Sequence, residues 1–347
     1  MKKIVFTGGG SAGHVVPNIA LIEELKEYSG LEIAYFGSGG IEKKLVETLD
    51  IPYFQTDCPK LIRGKSLGSL RKNLAIPFQL SSAIRHAKRN LKNFQPDVVF
   101  SKGGYVALPV VLAAKRLKIP CFTHESDLSV GLANRLMAKK CDAVFTSFPE
   151  TAENFKNGVF TGAPMRRALF DCDKIAAKVK FSLPLNKKVI LVFGGGSGSA
   201  ALNDGLRQAL PQLSDYAVIH LCGKGNIVKS TAENYRQFEY LSSIGEAYAA
   251  ADVVVSRAGA GAIFEIMALK KPAVFVPLEG QTRGDQIENA AYFEKRGLCK
   301  VLRQSELNKL PEIIKETLRD NELKKRLVSS RFSRGNEKIL SKIKAVL

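Results

Sequence analysis

No apolar stretch in this sequence is long enough to cross a membrane: the longest runs, such as residues 106–114, fall far short of ~18 residues. The start gives no export signal either. Met1-Lys2-Lys3 leads through a brief apolar run to Gly8, without a signal peptide's long apolar region. Paired metal-ligand spacing is missing among the six cysteines, Cys58, Cys121, Cys141, Cys172, Cys222 and Cys299. With no export signal they read as reduced thiols, mostly core filler, in a cytoplasmic protein. Low-complexity and collagen-like repeats are absent, and 45% hydrophobic residues exclude a disordered chain. Acidic residues are scarce, 33 against 52 basic ones, for a net charge of +19. So basic a surface favours an anionic partner: nucleic acid, an acidic membrane or a phosphate-bearing substrate. Between Asp57 and Asp97 there is no acidic residue at all, but nine basic ones: Lys60, Arg63, Lys65, Arg71, Lys72, Arg85, Lys88, Arg89 and Lys92.

The 347 residues leave room for two domains at roughly 100–200 residues each. Short apolar runs, read as strands, occur at 3–7, 32–37, 53–56, 97–101, 121–124, 143–147 and 159–162. Helical patterns separate them, as at 18–28, where Ile19, Ile22 and Leu25 recur at helical spacing. After Gly162-Ala163-Pro164-Met165 the pattern restarts, with strands at 188–194, 217–221, 252–256 and 273–277 and helices at 200–210, 260–269 and 285–296. Nearly continuous apolar strands joined by long crossovers indicate parallel sheets covered on both faces. The expectation is α/β: two doubly wound, Rossmann-like parallel-sheet domains facing a cleft, over 1–163 and 164–330. The remaining stretch, 331–347, is expected to return as a helix onto the first domain.

Three glycine-rich turns each follow a strand and precede a helix: Gly8-Gly9-Gly10-Ser11-Ala12-Gly13-His14, Lys102-Gly103-Gly104-Tyr105 and Gly194-Gly195-Gly196-Ser197-Gly198-Ser199. Such turns let the backbone approach a ligand, and the helix N-terminus behind them offers N–H groups to a phosphate. The first fits G-x-G-x-x-G. A dinucleotide site would also need a carboxylate closing the second strand, but the strands end Tyr35-Phe36-Gly37-Ser38 and His220-Leu221-Cys222-Gly223. With no Walker lysine either, a split phosphate or sugar site fits the three turns better. In the second domain Ser256-Arg257-Ala258-Gly259-Ala260-Gly261 opens a helix carrying Glu265, whose two oxygens suit a ribose diol, although a surface acid paired with lysine would look the same. A polar loop, residues 277–286, follows the next strand, where ligands meet such sheets.

Taken together, Gly8–His14 with Pro17, Gly103-Gly104-Tyr105, His124-Glu125, Gly162-Ala163-Pro164-Met165-Arg166, the 256–265 turn and Asp285-Gln286…Asn289-Ala290 resemble one family over nearly the whole chain. It is the undecaprenyldiphospho-muramoylpentapeptide β-N-acetylglucosaminyltransferases, of the two-domain GT-B fold. The resemblance implies an inverting transfer of N-acetylglucosamine from UDP-N-acetylglucosamine to the muramoyl 4-hydroxyl of lipid I, giving lipid II. It implies a donor site in which Leu241 faces uracil, Glu265 the ribose, and Ala260, Gly261 and Ala262 the diphosphate. Arg166 would approach the uracil or diphosphate, and Asp285 and Gln286 the sugar hydroxyls. Ser11, Ala12, Gly13, Asp127, Gly196 and Ser197 complete the implied donor contacts. Gly10, His14, Gly103, Gly104 and Tyr105 would meet the acceptor. The chain departs from the family pattern at Gly196-Ser197, Ser126-Asp127, Asp285 and Ser11.

Because UDP is already a good leaving group, the protein must mainly stabilise departing charge and deprotonate an alcohol. His14, with an ordinary pKa near ~6.5, is the leading base candidate, with Glu125 and Asp127 as rivals. A role for His14 in holding the diphosphate or capping its helix is equally open. His86 and His220 receive no role, and His124 reads as a packed strand-end histidine. No Asp-x-Asp motif appears at either cleft-facing strand end, so a tightly bound catalytic metal is not indicated; no cofactor is expected, and UDP-N-acetylglucosamine enters as a substrate. In segment 58–96, apolar residues including Leu74, Ile76 and Phe78 interleave with Arg71, Lys72, Arg85 and Lys88. That pattern suits peripheral binding to an anionic leaflet, on the cytoplasmic face, beside a lipid-linked acceptor. The alternative is a solvated basic helix. No nucleic acid is expected, since no RNA-module signature is present; other cell-wall synthesis proteins are further candidate partners. Rival functions are a GT-B transferase with another lipid acceptor, such as diacylglycerol, and a non-catalytic nucleotide-sugar binding protein.

Overall fold

A computed structural model describes residues 1–56, 58–60, 71, 73–196, 198–280 and 284–347. The chain divides into two compact units, Met1–Arg166 with Arg334–Leu347, and Arg167–Ser333.

The first unit holds β1 (Lys2–Thr7), β2 (Leu31–Gly37), β3 (Tyr53–Gln55), β4 (Val98–Ser101), β5 (Cys121–Glu125), β6 (Ala143–Thr146) and β7 (Gly158–Phe160). They form one parallel sheet in the order β3-β2-β1-β4-β5-β6-β7. One face packs Ile4, Phe6, Phe100 and Phe145 against Val15, Leu21 and Leu25 of the first helix, Ala12–Leu25. The other packs Val5, Ala34 and Val99 against Ile84, Ala87 and Leu91 of the helix Ile76–Phe94. The first helix begins well before the expected residue 18 and holds Pro17 inside it. Proline lacks an N–H, so the Gly13 carbonyl loses its helical donor, a tolerable cost so close to the helix start.

The second unit repeats the scheme with β8 (Val189–Phe193), β9 (Ala217–Leu221), β10 (Tyr235–Phe238), β11 (Val253–Ser256), β12 (Ala273–Phe275) and β13 (Lys300–Val301), ordered β10-β9-β8-β11-β12-β13. Both edge strands, β10 and β13, escape the sequence reading. β10 is Tyr-Arg-Gln-Phe with only Tyr235 buried, and β13 has just two residues. Each sheet reverses strand order once, between β1 and β4 and between β8 and β11. Turns after those strands lie where doubly wound sheets receive ligands.

Residues 334–347 group with the first unit. Gly335 N–H donates to Ala163 O (2.8 Å), Asn336 Oδ1 accepts from Met165 N–H (2.8 Å), and Arg334 pairs with Glu24. Ile339, Leu340 and Ile343 of the helix Asn336–Lys344 are buried in the same cluster as Ile4 and Phe6.

Candidate functional site

In the first unit the turns after β1 and β4 converge. His14 occupies the first turn of its helix, and its Nδ1 lies 3.2 Å from Lys102 O. A carbonyl only accepts, so Nδ1 carries the hydrogen and Nε2 keeps its lone pair. The half-buried ring has its pKa lowered to about 4, first by desolvation and then by the Lys102 charge, with Asp127 and Glu42 acting the other way. Gly104, at φ +81, brings its backbone close: a Cβ there would sit 3.0 Å from both Gly9 O and His14 Cδ2. Gly103 N–H donates to Ser101 Oγ (3.0 Å), and the Tyr105 ring lies against Gly10. Gly10 N–H donates to the buried Glu42 carboxylate (3.2 Å). Ser11 is the exposed N-cap, with no side-chain cap bond and no acidic residue in the first turn; Ala12 is half-buried and Gly13 exposed. Such an end is suited to an anion.

Glu125 sits differently from a free base. Its Oε1 accepts from the N–H groups of Ser126 (2.8 Å) and Asp127 (3.1 Å). Its Oε2 accepts from Gly131 N–H (2.9 Å) and Asn134 Nδ2 (2.9 Å). Four donors make it the anchor of the 126–131 loop. Asp127 is half-buried, and its carboxylate raises the pKa of both His14 and Lys102. His124 is fully buried, its Nε2 donating to Gly162 O (3.0 Å), and burial pushes its pKa well down. Arg166 belongs to this unit. Its Nε is buried without a partner, and its charge acts on Glu23.

Lys102 is the residue that sequence reasoning passed over. It is 1% exposed, and its ammonium donates to Ser126 Oγ. Burial lowers its pKa to about 8 against the raising pull of Glu125 and Asp127. The signal was a lysine directly after the short strand Val98–Ser101, buried along its whole length, and directly before two glycines.

In the second unit the helix Ala260–Ala268 begins at Gly259 with no side-chain cap and no acidic residue in its first turn. A Cβ on Gly259 or Gly261 would meet nothing within 4 Å, so the first-turn N–H groups are open to approach. Ala260 is buried, Gly261 exposed and Ala262 half-buried. Glu265 follows one turn later, half-buried, and its Oε2 accepts from Tyr248 OH (3.1 Å). Across the strand-order reversal, Gly195 and Gly196 are exposed; Ser197 lies outside the described residues. Gly198, at φ +77, admits no Cβ, which would fall 2.3 Å from Cys222 O. Leu241 is half-buried between β10 and the helix Ile244–Ala250. Asp285 and Gln286 open the helix Asp285–Glu294 behind Gly284, and Gln286 Oε1 accepts from Leu278 N–H (3.0 Å).

Arg257 organises these turns, another residue quoted from sequence without a role. It is 7% exposed and uses all five N–H groups. They donate to Ser199 Oγ (3.1 and 2.7 Å), Val276 O (3.2 Å), Pro277 O (3.1 Å) and Gln304 Oε1 (2.6 Å). Ser199 in turn N-caps the helix Ala200–Ala209.

The helix Ile76–Phe94 buries one face and exposes Phe78 (80%), with Leu74 (72%) just ahead of it. Arg71 and Arg85 are exposed, Ile76 and Lys88 half-buried, and Lys72 lies outside the described residues. His86 is exposed on this helix. Among the described residues no helix is long and apolar enough to cross a membrane.

Two family models match the chain: the glycosyltransferase family 28 N-terminal domain over residues 4–146 and the C-terminal domain over residues 189–343. Two relatives are named UDP-N-acetylglucosamine–N-acetylmuramyl-(pentapeptide) pyrophosphoryl-undecaprenol N-acetylglucosamine transferase. The Lachnospira eligens protein is 46% identical, with 89% of this chain and 88% of that protein covered. The Clostridium perfringens protein is 44% identical, with 92% and 90% covered. The crystal structure of Acinetobacter baumannii MurG is similar at a TM-score of 0.77 and 25% identity, covering 99% of this chain and 100% of that one. The chain therefore belongs to glycosyltransferase family 28, among the UDP-N-acetylglucosamine–N-acetylmuramyl-(pentapeptide) pyrophosphoryl-undecaprenol N-acetylglucosamine transferases.

Proposed function

We infer that the protein transfers N-acetylglucosamine from UDP-N-acetylglucosamine to the muramoyl 4-hydroxyl of undecaprenyl-linked lipid I, with inversion, giving lipid II. Besides the family, one observation supports this most: the open, uncapped start of the helix Ala260–Ala268 with Glu265 one turn behind it. That arrangement suits a nucleoside diphosphate, with N–H dipoles on the pyrophosphate and a carboxylate on the ribose diol. Positive dipole at this helix start offsets the charge that builds on departing UDP. Ala260, Gly261, Ala262, Gly196, Ser197, Leu241, Asp285 and Gln286 complete our donor assignment in the second unit.

Gly10, Gly103, Gly104 and Tyr105 take the acceptor, and His14 takes the proton of its hydroxyl on Nε2. A neutral ring with its hydrogen on Nδ1 is the form that a base requires. Glu125, held by four donors, serves the loop instead, and Asp127 tunes the charge around it. Leu74, Ile76 and Phe78 with Arg71, Lys72, Arg85 and Lys88 hold the enzyme peripherally on the anionic, cytoplasmic leaflet that carries the acceptor.

Labelled UDP-N-acetylglucosamine offered with a lipid I analogue should yield the disaccharide lipid, and diacylglycerol should yield nothing. Glu265→Ala should raise the KM for the donor about 10- to 100-fold with little change for the acceptor. His14→Asn should lower kcat by about 100-fold or more. Transfer to diacylglycerol, or equal effects of Glu265→Ala on both KM values, would contradict the reading. A pure affinity defect in His14→Asn would make His14 a binding group.

A further inference from the structure

We propose that Lys102 is the positioning residue that sets both the tautomer and the protonation state of His14. The inference rests on the reading of His14 as base only for its catalytic meaning; its physical content concerns two residues of one unit.

Lys102 acts through backbone and side chain at once. Its N–H donates to Thr7 O (2.9 Å), tying the end of β4 to the end of β1. Its carbonyl accepts from His14 Nδ1 (3.2 Å), which assigns the ring hydrogen and leaves the Nε2 lone pair beside Gly104. The ammonium is 1% exposed and bonded to Ser126 Oγ. Burying an ammonium costs free energy that an apolar side chain of the same volume would avoid, so the charge needs an electrostatic task. The charged groups facing His14 are Lys102, Asp127 and Glu42, and of these Lys102 alone opposes a second proton on the ring. A protonated His14 would add a second cation to a poorly solvated site that already holds the Lys102 charge. An arriving diphosphate adds negative charge near the same ammonium, so the ring gains basicity when the acceptor is bound.

Selectively labelled histidine read by NMR across pH tests this, with His14→Asn identifying the His14 signal. In Lys102→Met the His14 midpoint should rise by about one pH unit toward its ordinary value. Lys102→Arg, which keeps the charge, should hold it low. Circular dichroism establishes which variants are folded, and Lys102→Gln serves if Lys102→Met does not fold. An unmoved midpoint in a folded neutral variant, or a rise in Lys102→Arg equal to that in Lys102→Met, overturns the proposal. The acid limb of kcat/KM separates the two readings. A limb that follows the midpoint supports both. A shifted midpoint with an unmoved limb leaves Lys102 in its role and assigns the base to another group.

Discussion

His220 works for the fold alone. Its Nδ1 accepts from Tyr235 OH (2.6 Å) and its Nε2–H donates to Asn203 Oδ1 (2.9 Å), while Asn203 Nδ2 holds Cys222 O (2.9 Å). Burial and the Arg207 charge lower its pKa to about 4, below the unfolded value near ~6.5. The unfolded chain therefore binds the extra proton first. His220 contributes stability that is complete above the unfolded value and lost as pH falls toward the folded one, at about 1.4 kcal/mol per pH unit. His14 and His124 act in the same direction. Urea midpoints should fall between about pH 7 and about pH 5, and less steeply in His220→Asn; identical slopes would show that the ring titrates normally. At this scale the sequence exposes residue types but not their partners. Glu125 reads as a free acid at a strand end because its donors, the 126–131 backbone and Asn134, are invisible to spacing. Lys102 is invisible for the same reason, since its burial comes from three strands brought together.

Among elements, strands β1 to β9, β11 and β12 all lie where short apolar runs put them, the edge strands β3 and β7 included. Missing were β10, an edge strand with polar Arg236 and Gln237 at its centre and only Tyr235 buried, and β13, an edge strand of two residues, too short to make an apolar run. The glycine turns were legible because their chemistry is local. What joins the turns was not: Arg257 reaches from the end of β11 to the cap of the helix Ala200–Ala209 and to the loop after β12. Arg257→Lys cannot fill five donor positions and should cost about 2–4 kcal/mol of stability. It should also raise the donor KM more than the acceptor KM. Steady-state kinetics beside a denaturant titration would check both, and equal KM values with wild type would confine Arg257 to the fold.

Across the whole molecule, the same order of strands recurs in both units, and both place glycine turns where that order reverses. This much follows from the repeated alternation of strand and helix, because parallel crossovers have one favoured hand. The proposed peripheral membrane binding belongs to this scale too. At about 1 kcal/mol per cation, replacing Arg71, Arg85 and Lys88 with alanine should weaken binding to acidic vesicles about 100-fold, and added salt should do the same to wild type. Phe78→Ala should weaken it further without that salt dependence. Flotation with vesicles would measure each, and retention unaffected by charge would remove the basic helix from the interface.

Residues 334–347 carry a consequence for how the protein is made. Ile339, Leu340 and Ile343 fill a core whose other members are translated far earlier, and their burial is worth about 1.5–3 kcal/mol each. The ribosome must polymerise all of Arg167–Ser333 before those side chains emerge, a wait on the order of 10–30 s at about 5–20 residues per second. Until then the core that Val15, Leu21 and Leu25 of the first helix belong to lacks three of its buried members.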